Sequence, residues 1–477
     1  MNNYKNPKLM PNQSASELKA SLIAEESKEA REKIAAIFDE GTFVETAAYM
    51  KRSFSDFFTT ETANELEGVI TGYGAVDGKL AFAFIEDAGR MGGHIDERHA
   101  KKIADLYSLA SKNGAPVIGV FNSNGTNIFE GTAGLAAYGR ILAAVNSASG
   151  VIPQIAYVSG KCIGTAAVIA ASFDLVVKEE GASLYVSSPT LTGNESAQDP
   201  IVSFSGAPTE CAGYIRSLVS FLPSNSSSGI AIDDCSDNLN RLLGDLDFSG
   251  EALAEISVIA DNGVFYEVGK DYATELSTVF TTIGGVKCGV VATSFSKNEG
   301  RITTSSAKKA ARFVSFCDRY NLPIVTLVDS LGVHIDEKNE YCFAPELAKL
   351  ACAYASSKCP KITVIMEHAI GASFVLLGSK ALGTDLVYAL DSAEIGALSA
   401  ESGVAFAWDK YISEEKSREE LISEWKSTVS SVANAAASGE IDDIISTNEL
   451  RARLCSALLM LSAKGTYGAN NGKVLPL

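Results

Sequence analysis

"GKCIGTAA", residues 160–167, decides the fold. It ends the apolar run "GVIPQIAYVSG" (150–160) and leads into the small-residue stretch "AAVIAAS" (166–172), so it reads as a buried strand, a glycine turn and a helix start. Glycine suits such a turn because it adopts backbone conformations closed to other residues. The first N–H groups of a helix have no intrahelical acceptor and sit at its positive end, which makes the turn at Gly164-Thr165 a candidate oxyanion hole. Donors fixed in place beforehand stabilise developing negative charge by roughly 2.7–4 kcal/mol each.

Working outward, strands and helices alternate. "LEGVITGYGAVDGKLAFAFI" (66–85) predicts a hairpin, and "ERHAKKIADLYSLASKNGAP" (97–116) a helix with Ile103, Leu106 and Ala110 on one face, stopped at Asn113-Gly114. "PVIGVFNS" (116–123) and "FDLVV" (173–177) have the unbroken apolar character of strands buried on both faces. The punctuation then returns 207 residues later without a gap: Gly78 falls on Gly285, Ala100-Lys101-Lys102 on Ala307-Lys308-Lys309, Pro116 on Pro323, Ser123 on Ser330 and Gly125 on Gly332. Ile128 and Glu130 fall on Ile335 and Glu337, Pro153 on Pro360, and Gly164 on Gly371. Past the glycine turn the register slips by four residues, since "FDLVV" from Phe173 answers to "TDLVY" from Thr384. One register over so long a span predicts a duplicated α/β domain, with a second candidate hole at Gly371-Ala372.

The 477 residues are 46% hydrophobic and 21% charged, enough for more than one core, and no apolar run approaches the ~20 residues of a membrane span. The N-terminus lacks a secretory h-region, so a cytoplasmic location is expected. Nine dispersed cysteines without a CxxC pair fit reduced thiols, and four scattered histidines give no metal cluster. The formal charge of −18 argues against nucleic acid as a partner. An anionic ligand would need a local site of backbone amides and a few cations. The polar, Ser-rich stretch 222–238 predicts a linker; residues 14–38 predict an N-terminal helix that docks or faces an oligomer, and the last 60 residues amphipathic helices.

Several stretches together resemble one family, the carboxyltransferase subunits of biotin-dependent acyl-CoA carboxylases and decarboxylases. They include "GVITGYGAVDGKLAFAF" (68–84), "GGHIDERHAKKIADLYSLASKNGAPVIGVFNSNG" (92–125), "FEGTAGLAAYG" (129–139), "ASGVIPQIAYVSGKCIG" (148–164), "AKLACAYASSKCPKITVIMEHAIGASF" (348–374) and "GEIDDIISTNELRARL" (439–454). The resemblance implies two duplicated crotonase-like (ClpP/crotonase) ββα-superhelix domains with extra N- and C-terminal helices. Residues 1–44 would be an N-terminal helical segment, 45–235 the N-terminal carboxyltransferase domain, 236–265 a helical connection and 266–477 the C-terminal carboxyltransferase domain. It implies a ring-shaped hexamer, a trimer of dimers, with active sites between the first domain of one subunit and the second of another. The first hole, Gly164 and Thr165, would hold the thioester oxygen of a coenzyme A ester, and the second, Gly371 and Ala372, the ureido oxygen of biotin. Gly125, Lys161, Cys162, Ile163, Ile370 and Ser373 would line the substrate sites, with no metal. The chain has no "MKM" biotinylation motif and no recognisable ATP-binding segment, so the implied partners are a separate biotin carboxyl carrier protein and either a biotin carboxylase or a membrane decarboxylase subunit.

Departures from the family pattern keep other readings open. "SNGTNIFEG" (123–131) stands for "SGGARIQEG" and loses an arginine, and "CIGT" (162–165) stands for "CAGG" and places a β-branched Thr165 at the first hole. A non-catalytic structural subunit of such a complex, and a biotin-independent crotonase-type acyl-CoA hydrolase or isomerase, remain alternatives, and the acyl group and reaction direction stay open. Lys161 is either an anchor for coenzyme A phosphates or a solvated lysine at a helix start; His368 either polarises a ligand or serves the core.

Overall fold

The computed structural model describes residues 14, 28–51, 66–126, 130–192, 200–244, 250–335, 340–414 and 416–464. The chain divides into two units, residues 1–197 with 204–225, and residues 198–203 with 226–477.

The first unit is built on a seven-stranded sheet in the order Val44–Thr46, Val69–Val76, Lys79–Glu86, Val117–Phe121, Gln154–Val158, Leu175–Glu179, Phe204–Gly206. The second and third strands form the expected antiparallel hairpin. Asp77 and Gly78 carry φ of 49° and 77° at its turn, the paired positive angles that match the twist of the flanking strands. From Lys79–Glu86 onward every neighbour is parallel, so each connection must cross over a face. Helix Glu97–Asn113 makes the first crossover: Asp96 caps it by accepting from the Arg98 and His99 N–H groups at 2.7 and 2.8 Å, and Gly114 ends it at φ 61°. It buries Ile103, Leu106 and Ala110 as its spacing predicts. Beneath it Phe84, Phe121 and Phe173 meet edge to face, their centroids 5.4 to 6.4 Å apart, each pair adding ~1 kcal/mol to the burial itself. Gly119 leaves room for this cluster, since a Cβ there would stand 2.5 Å from the Phe84 ring.

The second unit repeats the frame at the same offset. Hairpin Leu276–Ile283/Val286–Thr293, helix Thr304–Arg319, strand Ile324–Ser330 and strand Lys361–Ile370 follow in that order, and the last two strands pair in parallel. The four-residue insertion lies where the register slips. Helix Thr165–Ala171 of the first unit is matched by a shorter helix, Ala372–Leu376, and an added 3₁₀ turn, Lys380–Leu382, after which Leu386–Leu390 stands for Leu175–Glu179. Helix Leu450–Leu461 drives Leu450, Leu454 and Leu458 into the core of this unit. Of the expected N-terminal helix, Lys28–Ile37 is helical and packs within its own unit, Lys33 reaching Glu179 and Tyr157; residues 15–27 lie outside the described residues.

Both hairpin turns are gripped by one device. Asp39 accepts from the Asp77 and Gly78 N–H groups at 3.1 and 3.0 Å and pairs with Arg216 at 2.7 Å. In the second unit Asp261 accepts from Gly284 and Gly285 at 2.9 and 2.8 Å and pairs with Arg451 at 2.6 Å.

Candidate functional site

Each unit places its glycine turn at the end of a short parallel strand pair. In the first, Lys161–Ile163 pairs with Ser183–Tyr185; in the second, His368, Ala369 and Ile370 pair with Glu394–Gly396. Gly164 then takes φ 63°, ψ −129°, and Gly371 takes φ 59°, ψ −126°. These are nearly the same conformation, in a region that side chains reach only at a cost of about 1–3 kcal/mol. No atom of the described residues would obstruct a Cβ on Gly164, and the nearest to one on Gly371 is the Ala397 carbonyl oxygen at 3.4 Å, so torsion rather than crowding requires glycine here.

The donors are not the ones the glycines themselves suggest. The Gly164 N–H donates to the Tyr185 carbonyl at 3.0 Å and the Gly371 N–H to the Gly396 carbonyl at 2.8 Å, so both amides are used inside the fold. This corrects the expectation that each glycine contributes an open amide. The next residues, Thr165 and Ala372, open the helices, and their N–H groups meet no acceptor among the described residues. A loop from the preceding strand flanks each turn. Ser123 Oγ accepts the Gly125 N–H at 3.0 Å, and Ser330 Oγ accepts the Gly332 N–H at 3.2 Å. In the second unit this loop lies directly on the turn, because Ser373 Oγ donates to both Ile370 O and Ser330 O and a Cβ on Gly332 would stand 3.2 Å from Ile370 O.

The expected lining residues divide by burial. Lys161 is exposed, its Nζ donating to Asn124 Oδ1 at 3.0 Å, and Thr165 is exposed; Gly125 and Ile163 are half-buried beside them. Cys162 belongs to the hydrophobic core, where burial pushes its thiol far up. Ile370 and Ser373 are buried as well. These three can offer a ligand only their backbone. For Cys162 the cause is strand alternation between exposed Lys161 and half-buried Ile163, whereas Ile370 ends a strand and Ser373 sits in the helix Ala372–Leu376, its hydroxyl spent on Ile370 O and Ser330 O.

Around the second turn His368, a candidate from sequence, has a partner that the sequence did not reveal, Asp329. Asp329 Oδ1 accepts the His368 N–H at 3.1 Å and lies 2.8 Å from His368 Nδ1, while the imidazole stacks on Phe295 with centroids 4.9 Å apart. Burial pulls the imidazole down, but the hydrogen bond and charge of Asp329 outweigh it and leave His368 above its ordinary pKa. The equivalent bond of the first unit joins Asn122 Oδ1 to the Lys161 N–H at 3.2 Å. Applying the 207-residue offset to Asn122 leads to Asp329.

The chain matches the model of the family described as "Carboxyl transferase domain" over residues 23–199 and 204–471. It is 33% identical over 462 residues to the methylmalonyl-CoA decarboxylase subunit alpha of Veillonella parvula, covering 91% of this chain and 90% of that protein. It is 32% identical to the propionyl-CoA carboxylase beta chain of Cereibacter sphaeroides, covering 91% of each. The solved structure of transcarboxylase 12S, a hexamer with hydrolysed methylmalonyl-coenzyme A bound, superimposes with a TM-score of 0.88 at 28% identity, over 97% of this chain and 98% of that one. The paired sheets and helices are thus the crotonase-like carboxyltransferase fold, and the chain belongs to the carboxyl transferase family of enzymes.

Proposed function

We propose that the protein moves a carboxyl group between carboxybiotin, carried on a separate protein, and a short-chain acyl-CoA, with one glycine turn assigned to each partner. The observation that carries this reading is the twinned backbone: two turns at equivalent places, each followed by a helix-opening N–H, at Thr165 and Ala372, that meets no acceptor among the described residues. Carboxyl transfer develops negative charge on a thioester enolate oxygen and on a ureido oxygen, so it asks for two donor sites rather than one.

In the first unit the Thr165 N–H stabilises the enolate oxygen. The Gly125 N–H joins it when Ser123 Oγ gives up its bond, and Lys161 meets the phosphates of coenzyme A. The second turn fits a flat ureido group: Gly371 and Ala372 bring no bulk to the donor face, and the Ala372 N–H is without an acceptor among the described residues. Biotin, when delivered there, supplies or accepts the carboxyl group. No side-chain nucleophile is required, and turns set by torsion hold the donors in place before reaction. Like transcarboxylase 12S, the chain would assemble as a hexamer, and it would take its biotin from a carrier protein loaded by a biotin carboxylase or discharged by a membrane decarboxylase subunit.

The test mixes purified protein with malonyl-CoA or methylmalonyl-CoA and free biotin and follows loss of the carboxylated ester. Wild type turns over. Gly164→Ala and Gly371→Ala, folded by circular dichroism, each lose at least about 100-fold in rate, and only Gly164→Ala weakens acyl-CoA binding. Absence of transfer to biotin with every short carboxyacyl-CoA overturns the reading.

A further inference from the structure

Asp329 closes strand Ile324–Ser330, and Glu367 and His368 lie on the neighbouring strand Lys361–Ile370, so parallel pairing brings together residues about forty positions apart in sequence. One ligand atom from each, two carboxylate oxygens and an imidazole nitrogen, lie within 4.8 Å of one another. Asp329 is 3% exposed at its side chain and His368 21%, so the group is enclosed yet reachable. The 2.8 Å between Asp329 Oδ1 and His368 Nδ1 is near the ~2.9–3.4 Å that separates neighbouring ligands on an ion with bonds of about 2.0–2.1 Å.

A second observation points to the same place. Glu255, on helix Ala252–Ile259, is 2% exposed, and neither carboxyl oxygen has a hydrogen-bond partner among the described residues. Among the charges that bear on it, Asp329 comes first and Glu367 second, so it stands within electrostatic reach of this group. Buried polar groups are nearly always paired, and one left without a donor among like charges calls for a cation. The first unit offers no such arrangement at the equivalent positions, where Asn122, Gly160 and Lys161 supply an amide, no side chain and a cation.

We propose that Asp329, Glu367 and His368 bind a divalent transition-metal ion beside the second glycine turn, whose charge also offsets that of the buried Glu255. One imidazole among carboxylates suits the zinc and manganese class better than magnesium or calcium, which prefer oxygen alone, and the lack of thiolate argues against copper(I).

The test uses the full chain with the exposed Cys342 and Cys352 changed to Ser, so that surface thiols do not compete, stripped with chelator and titrated calorimetrically with Zn²⁺. One ion binds per chain with a Kd of about 1 µM or tighter. His368→Ala and Glu367→Gln each weaken it at least about 100-fold, and Glu255→Gln about 10-fold, with unchanged circular dichroism. Asp329 is left intact because it also holds the His368 N–H. With Mn²⁺ in place of Zn²⁺, paramagnetic resonance shows coupling to one nitrogen that disappears in His368→Ala. Absence of saturable binding, or binding that survives both His368→Ala and Glu367→Gln, overturns the proposal.

Discussion

In the first unit the Lys161 N–H is held by Asn122 Oδ1 at 3.2 Å; in the second, 207 residues on, the His368 N–H is held by Asp329 Oδ1 at 3.1 Å. One backbone bond has survived with different chemistry hung on it. A neutral amide and a lysine stand by one turn, while a carboxylate, a second carboxylate and an imidazole stand by the other. Main-chain geometry is set by the sheet and the glycine torsion, which tolerate many side chains. Charge is set one residue at a time, so duplicated frames diverge there first.

The hairpin clamps carry the comparison furthest in energy. Arg451 is 0% exposed and its NH2 group meets Asp261 at 2.6 Å and Asp237 at 3.1 Å, whereas Arg216, 27% exposed, reaches Asp39 and Asp77 at the surface. Removing one partner of a buried pair leaves the other charged and uncompensated. Arg451→Met is therefore expected to lower stability by about 3–5 kcal/mol in urea unfolding, while Arg216→Met leaves the midpoint nearly unchanged because water and salt already screen that pair. Equal losses in the two variants would mean that burial does not distinguish the clamps.

A smaller contrast lies beneath the first turn. Glu86 accepts the Asn122 N–H at 2.8 Å, where Thr293 Oγ accepts the equivalent Asp329 N–H at 2.7 Å. Burial raises the Glu86 carboxyl to about 7, the charge of His99 and the Asn122 bond opposing it only in part. The folded chain thus holds a proton that the unfolded chain releases near pH 4.5, the ordinary value of the carboxyl. Glu86 then contributes stability that is present below pH 4.5, declines between there and about pH 7, and is gone above it, an effect of about 3 kcal/mol. Unfolding at a series of pH values checks this: Glu86→Gln flattens the decline, and an unchanged slope in that variant removes Glu86 as its source.

The frame was legible because proline and glycine punctuate it at one offset, and the slip at Phe173 and Thr384 located the insertion at Lys380–Leu382. Legibility ended where chemistry depends on pairing between distant segments. The strands Ser183–Tyr185 and Glu394–Gly396, whose last carbonyls take the two glycine amides, are three residues long and too short to show a period. Cys162, Ile370 and Ser373 sit beside the turns in sequence yet are buried, which strand alternation decides for Cys162 and tertiary packing for the other two. Asp39 and Arg216 are 177 residues apart, and nothing local in either announces the other.

The smallest expected effect tests whether the polarity difference between the turns bears on ligands at all. Lys161 is exposed, so its attraction for a phosphate acts through water and is worth little in any single complex. It is nevertheless a cation three residues before Gly164, its Nζ held by Asn124 Oδ1 at 3.0 Å, on a chain of net charge −18. Lys161→Ala is expected to raise KM for the acyl-CoA about 5-fold at low salt with kcat nearly unchanged, because the phosphates stay bound alike in ground and transition states. The difference should vanish as ionic strength passes about 0.3 M, where charges more than a few ångströms apart no longer sense each other. If KM is unmoved at low salt, Lys161 is a solvated residue at the start of a short strand rather than at a helix start, and the charge contrast between the turns concerns the second turn alone.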